Sequence, residues 1–172
     1  MAGLNRLVLS LGSNLGDREG HLKEACVHIE EKIGKITALS RIYDTPPLGF
    51  EASQSFYNVC LVCETALSPE AAIETIHGIE AEMGRVRVEG QYVSRTIDID
   101  IVFFNTLIRS ENAPLLPHPS YHLRKFVLLP LNDLDSEMRD PRDGRSVKML
   151  LADCPDQSEI HPLKKILLPF HN

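Results

Sequence analysis

Arg95-Thr96-Ile97-Asp98-Ile99-Asp100-Ile101-Val102-Phe103-Phe104 alternates polar and apolar side chains with a period of two and reads as a β-strand. Side chains along a strand point to opposite faces in turn. Ile97, Ile99, Ile101 and Phe103 are therefore expected on one face, and Thr96, Asp98, Asp100, Val102 and Phe104 on the other. Same-face neighbours lie about 6.6 Å apart along a strand, so the two carboxylates can lean toward one place and hold one or two hard cations such as Mg²⁺. An arbitrary D-x-D is more often the wet face of an edge strand. Here Arg85, Arg87 and Arg95 precede the pair, and acid that suits metal beside base that suits phosphate points to phosphoryl transfer from a nucleotide.

Working outward from this strand, Ser68-Pro69-Glu70 opens a helix with a cap, a proline at the first helical position and an early acid. Ala72, Ile73, Ile76, Ile79 and Met83 form its apolar stripe before Gly84. Upstream, 55–65 and 36–45 read as strands, the latter broken by Thr45-Pro46-Pro47-Leu48-Gly49, since proline cannot donate to a ladder. A first strand over 6–11 ends in Gly12-Ser13-Asn14-Leu15-Gly16. Asp17 then caps a helix whose Leu22, Cys26, Ile29 and Ile33 recur at helical spacing until Gly34. The order β-α-β-β-α-β predicts an α+β, ferredoxin-like antiparallel sheet with both helices on one face. The isoleucines then face the helices, and the aspartates face an open side where a ligand can sit. Beyond Phe104, 115–120 reads as a rigid loop, 124–134 as a short helix, 140–144 as a turn and 147–151 as a last helical turn. The 155–172 tail adds a strand or packs on the surface.

A length of 172 residues with 43% apolar content fits one domain over 1–172 with a core of its own. The formal net charge of −6 disfavours nucleic acid as a partner, because phosphate neutralisation needs a basic surface. Nothing reads as a signal peptide or a membrane span, so a cytoplasmic protein is expected. Cys60 and Cys63 have the C-x-x-C spacing of zinc and redox motifs. They fall in a strand, however, where residues three apart point to opposite faces, so buried reduced thiols are expected.

No G-x-x-x-x-G-K-[ST] and no G-x-G-x-x-G occurs, so side chains must hold any phosphates. The Gly12–Gly16 turn could offer backbone N–H groups to an anion; a purely structural turn is the favoured reading. The polar connection 88–94, between Arg87 and Arg95, has the character of a cationic lid that closes over a triphosphate. His118 and His122 are four apart, but Pro119 and the lack of an intervening glutamate exclude an H-E-x-x-H zinc site. A nucleotidyl- or glycosyltransferase using the same D-x-D is the rival enzyme reading. A non-catalytic ferredoxin-like RNA module is the other rival, and the acidity disfavours it.

Gly12-Ser13-Asn14-Leu15, Thr45-Pro46-Pro47-Leu48-Gly49, Asn58, Glu80, Gly84-Arg85-Val86-Arg87, Arg95 to Asp100, Pro117-His118 and Phe126-Val127-Leu128-Leu129-Pro130-Leu131 occur in order. Together they resemble the 6-hydroxymethyl-7,8-dihydropterin pyrophosphokinase family of folate biosynthesis. The resemblance is strongest over 6–150 and assigns no role to 155–172. It implies ATP as co-substrate, two Mg²⁺ ions, and transfer of a diphosphate to the pterin's hydroxymethyl group with release of AMP. By the same resemblance, Asp98 and Asp100 are the metal ligands and Arg85 and Arg95 stabilise charge during transfer. Thr45, Leu48, Phe56, Asn58 and Phe126 hold the pterin, the two rings sandwiching it while the amide reads its edge. His77, Glu80, Arg87, Tyr92, Arg95, His118 and Arg124 fall in the nucleotide and lid set. The family usually has tryptophan where Tyr92 stands, Gly-Pro where Val93-Ser94 stands, glutamine at His77 and tyrosine at Pro119, all lid or nucleotide positions. A monomer or weak homodimer acting on small molecules is expected.

Overall fold

The computed structural model describes residues 3–46, 54–84, 96–166 and 168. Strand β1 (Asn5–Ser13) leads into helix α1 (Arg18–Lys32), followed by β2 (Gly34–Leu39), β3 (Arg41–Thr45), β4 (Phe56–Thr65), α2 (Pro69–Glu82) and β5 (Asp98–Phe104). A single 3-10 turn (Tyr121–Leu123), α3 (Lys125–Leu134), α4 (Val147–Ala152) and β6 (His161–Lys165) complete the described elements. The sheet order is β5-β1-β4-β3-β6, with β2 also paired to β4, and every pairing is antiparallel. Strand β6 extends the ferredoxin-like arrangement at the β3 edge, one of the two fates expected for the tail.

Local chemistry accounts for the helix starts. The Asp17 side chain accepts from the Gly20 N–H and the Ser68 hydroxyl from the Ala71 N–H, each supplying a partner to an otherwise orphaned amide. The expected single strand over 36–45 is two strands, interrupted at Ser40. Its Oγ accepts from the Cys60 N–H at 3.0 Å, while its own N–H donates to the Cys60 carbonyl. A side chain there replaces a ladder partner, so the strand is broken without leaving the amide unsatisfied. Gly34 is needed where β2 starts, because a Cβ would lie 1.9 Å from the Glu64 carbonyl oxygen.

Leu7, Leu9, Leu11, Val59, Leu61, Cys63, Ile97, Ile99 and Ile101 meet Leu22, Cys26 and Ile29 of α1 and Ala72, Ile76 and Ile79 of α2 in one buried cluster. The opposite face is not wholly open, contrary to the expectation. Val8, Cys60, Val62, Val102 and Phe103 are covered there by Val127, Leu128 and Leu131 of α3, by Val147 and Leu150 of α4, and by Tyr121. Strict alternation also fails at the end of β5. The register slips between Val8 and Leu9, which leaves an extra residue between Ile101 and Phe103. That bulge turns Phe103 to the α3–α4 side and Phe104 to the α1–α2 side, the reverse of the period-two expectation.

Candidate functional site

Tertiary register, more than proximity in sequence, assembles the site. Strand β1 lies between β4 and β5, with Gly12 opposite both Asn58 and Asp98, and Ser10 opposite both Cys60 and Asp100. Tyr43 of β3 extends the first row beyond Asn58, and Thr45 faces Phe56. Directly opposed Cα atoms are about 5 Å apart, so Asn58 and Asp98 stand roughly 10 Å apart across one shared face. Asp98 and Asp100 are both half-buried, with Ile99 buried between them on the other face. This is the same-face placement expected of the pair.

Gly12 lies inside β1, not in the turn that the sequence predicts over 12–16. A Cβ there would approach Asn58 Oδ1 to 2.8 Å and Phe56 Cδ1 to 3.5 Å. The missing side chain is therefore the space that the Asn58 amide and Phe56 ring occupy. Asn58 is buried and donates from Nδ2 to Thr45 Oγ1 at 3.4 Å. Thr45, Phe56 and Asn58 thus lie together as one group.

On the β5 side, the His118 N–H donates to the Val102 carbonyl at 2.9 Å, which ties the 117–120 stretch to the metal-candidate strand. His118 Nδ1 accepts from the Ser120 N–H at 3.1 Å, so the tautomer compatible with that bond carries its proton on Nε2. Burial pulls the imidazole's pKa down to about 4, the Arg124 charge adds to this, and Asp98 opposes it. His118 is therefore a neutral hydrogen-bond donor near pH 7. Arg124 lies 5.8 Å from the centroid of the Phe126 ring at the start of α3. Beneath them, the Tyr121 hydroxyl donates to Asp140 at 2.6 Å, and Arg142 pairs with the same carboxylate.

The far end of α3 is fixed to the sheet by Asp133. It accepts from Arg41 Nε and Nη2 at 2.9 Å each and from the Tyr43 hydroxyl at 2.7 Å. Burial pushes this carboxyl's pKa up, but the Arg41 and Tyr43 hydrogen bonds outweigh it and leave it below the usual range.

Two candidates stand apart from this group. His77 is exposed on α2. Glu80 is buried on the same helix and accepts from the Ile99 N–H at 3.1 Å, reaching β5 between the two aspartates. Leu48, Arg85, Arg87, Tyr92 and Arg95, with the 88–94 connection, lie outside the described residues. Cys60 and Cys63 are buried in opposite-face clusters, and burial pushes both thiols up to about 12, so neither is a thiolate near neutrality. The spacing argument against zinc agrees with this placement.

Among the described residues no group of three or more His, Cys, Asp or Glu side chains could hold a metal. The donor set of Asp98 and Asp100 alone still suits Mg²⁺, which characteristically takes one or two carboxylates and fills its remaining positions with water and substrate phosphate. Sequence alone places Gly12 in a turn rather than in this strand row, and does not bring Tyr43 into the region. A glycine inside an alternating strand signals close approach, whereas Tyr43 carries no signal without the register.

The family model described as 7,8-dihydro-6-hydroxymethylpterin-pyrophosphokinase (HPPK) matches residues 8–136. The 2-amino-4-hydroxy-6-hydroxymethyldihydropteridine pyrophosphokinase of Porphyromonas gingivalis is 39% identical over 129 residues, covering 73% of this chain and 88% of the relative. The like-named protein of Pseudomonas aeruginosa is 36% identical over 155 residues, covering 88% and 93%. Among solved structures, wild-type HPPK-DHPS of Plasmodium falciparum with pteroate superposes with a TM-score of 0.71 at 19% identity. That match covers 87% of this chain and 44% of the larger one, so this chain spans less than half of that protein.

Proposed function

The chain belongs to the 7,8-dihydro-6-hydroxymethylpterin-pyrophosphokinase family, and from that premise we propose that it transfers the terminal diphosphate of ATP to the hydroxymethyl oxygen of 6-hydroxymethyl-7,8-dihydropterin. A bond forms between that oxygen and the β-phosphorus. The bond from the β-phosphorus to the oxygen bridging it to the α-phosphorus breaks, AMP leaves and the alcohol proton passes to solvent. The observation that carries the reading is the row Asn58–Gly12–Asp98, which sets a buried amide and a carboxylate on one face with only a glycine between them.

Phe56 and Phe126 stack on the flat heterocycle, with Asn58, Thr45 and the backbone near Leu48 reading its polar edge. Orienting the pterin this way points its hydroxymethyl arm along the row toward β5, which converts the encounter into a near-attack arrangement. Asp98 and Asp100 would hold Mg²⁺, two ions in all, which when bound supplies charge neutralisation and Lewis acidity. His118 donates from Nε2 to a phosphate oxygen without bringing a full charge. Arg85 and Arg95 meet the charge that develops during transfer, and Arg87, Arg124, Tyr92 and His77 complete the nucleotide set. Glu80 serves that set through the backbone of β5. The whole of 1–172 works as one cytoplasmic pyrophosphokinase domain, a monomer or weak homodimer, on small molecules.

The test is to mix the protein with Mg·ATP and the reduced hydroxymethylpterin and to quantify nucleotide products. AMP equimolar with pterin diphosphate is expected. ADP, or AMP formed at the same rate without pterin, would overturn the reading.

A further inference from the structure

Arg18 occupies the first helical position of α1, directly after the Asp17 cap. A cation is electrostatically unfavourable there, because the helix N-terminus already carries partial positive charge. Its partners lie elsewhere in the fold. Nη1 donates to the Ser55 carbonyl at 2.9 Å and to Ser55 Oγ at 3.0 Å, and the guanidinium lies over the Tyr57 ring at 3.8 Å from its centroid. Ser55 Oγ in turn donates to the Asp44 carboxylate of β3, and Gln54 Nε2 donates to the Gly16 carbonyl at 3.4 Å, just ahead of α1.

Ser55 and Tyr57 are the two neighbours of Phe56. Side chains alternate along β4, and Tyr57 packs against the α1–α2 cluster; Phe56 therefore points to the opposite face, where Asn58 also lies. One guanidinium holds the residue on each side of Phe56 from behind the sheet. Its planar fork satisfies the serine with its edge while its face covers the tyrosine, a combination that an ammonium cannot reproduce.

We infer that Arg18 is a positioning residue for pterin recognition: by clamping Ser55 and Tyr57 it fixes the backbone from which Phe56 stacks on the heterocycle. Arg18 makes no contact with the substrate itself. This rests on the proposed assignment of Phe56 to the pterin, and it adds a residue outside that set. The clamp stands at the β4 end where the pterin would lie, away from the carboxylates of β5, so its loss should weaken one ligand selectively.

The experiment titrates wild-type protein, Arg18→Ala and Arg18→Lys calorimetrically with 6-hydroxymethyl-7,8-dihydropterin in the presence of a saturating non-hydrolysable ATP analogue plus Mg²⁺ and, separately, with that analogue plus Mg²⁺ alone. Melting temperatures are recorded alongside. Pterin affinity is expected to fall about tenfold in Arg18→Ala and by a comparable factor in Arg18→Lys, since lysine keeps the charge but not the fork. Affinity for the nucleotide should stay within twofold. Unchanged pterin affinity in both variants would overturn the inference. So would full rescue by lysine, or a parallel fall in both affinities together with a lower melting temperature, which is the mark of a merely structural role. Wild-type AMP production, measured on the same samples, separates the two proposals. Absent AMP with intact pterin binding strikes the proposed reaction while the titrations still decide Arg18, and absent pterin binding in the wild type overturns both.

Discussion

Replacing Gly12 by alanine should damage pterin recognition far more than it damages the fold. The added methyl would lie 2.8 Å from Asn58 Oδ1 and 3.5 Å from Phe56 Cδ1, where ordinary contact begins near 3.4 Å. The amide is the far end of a flexible side chain, so it can retreat by about half an ångström at little cost to the backbone. Such a shift carries a hydrogen bond of ordinary length out of its favourable range. Losing one or two well-made bonds to a buried substrate edge costs about 1.5–3 kcal/mol, or roughly tenfold to a hundredfold in affinity. Stability moves the other way in part, because alanine is favoured over glycine inside a strand by about 0.5–1 kcal/mol. Calorimetric titration of Gly12→Ala should therefore show pterin binding weakened by that factor, nucleotide binding unchanged and a melting temperature within a few degrees of wild type. Wild-type pterin affinity in this variant would refute the idea that the empty glycine position is what seats the Asn58 amide.

Further outcomes follow from other parts of the structure. Asp98→Asn and Asp100→Asn should each lose turnover by at least about a hundredfold, with an unchanged circular dichroism spectrum, because neither residue lies in the isoleucine cluster beneath; steady-state AMP production checks this. His118 has a folded pKa near 4, below its unfolded value of about 6.5, so the unfolded chain takes up the proton first and the native state is penalised as pH falls through that interval. His118→Gln should accordingly lose less melting temperature than wild type between pH 6.5 and 4, and show no such difference above pH 7. Asp133→Ala removes the acceptor shared by Arg41 and Tyr43 and should cost about 2 kcal/mol of stability by urea unfolding. Gly34→Ala sets a methyl against the Glu64 carbonyl oxygen, which cannot yield without parting β2 from β4, and a loss of about 3 kcal/mol is expected in the same assay.

Much of this fold is legible in the alternation of 97–101, the Asp17 and Ser68 caps and the apolar stripes of the two helices. Each is a local rule that the tertiary structure leaves intact. The failures arise from tertiary contacts that no local rule records. Ser40 breaks a strand by lending its hydroxyl to a neighbour's amide, which no periodicity records. The bulge before Phe103 exchanges the faces of two phenylalanines that read as plain alternation. A helix over 124–134 is expected from sequence, but its docking onto the Val8–Cys60 face, where Asp133 meets Arg41 and Tyr43, joins residues ninety or more apart in sequence. For the candidate site, the spacing of Asp98 and Asp100 is visible in sequence, as is that of Phe56 and Asn58. The resemblance supplied their association. Gly12 joins the two pairs only through the register of three strands, and Arg18 betrays itself only as a cation at the wrong end of a helix.

The proposed chemistry depends on the paired carboxylates of β5 holding divalent ions beneath a nucleotide on the face that also carries Asn58. Its most direct test is paramagnetic titration with Mn²⁺ in the presence of a non-hydrolysable ATP analogue, comparing wild type with the Asp98→Asn, Asp100→Asn double variant. Two ions bound per wild-type chain, with ion binding to the protein–nucleotide complex weakened at least about a hundredfold in the double variant, is the predicted result. Equal Mn²⁺ stoichiometry and affinity in both proteins would contradict it.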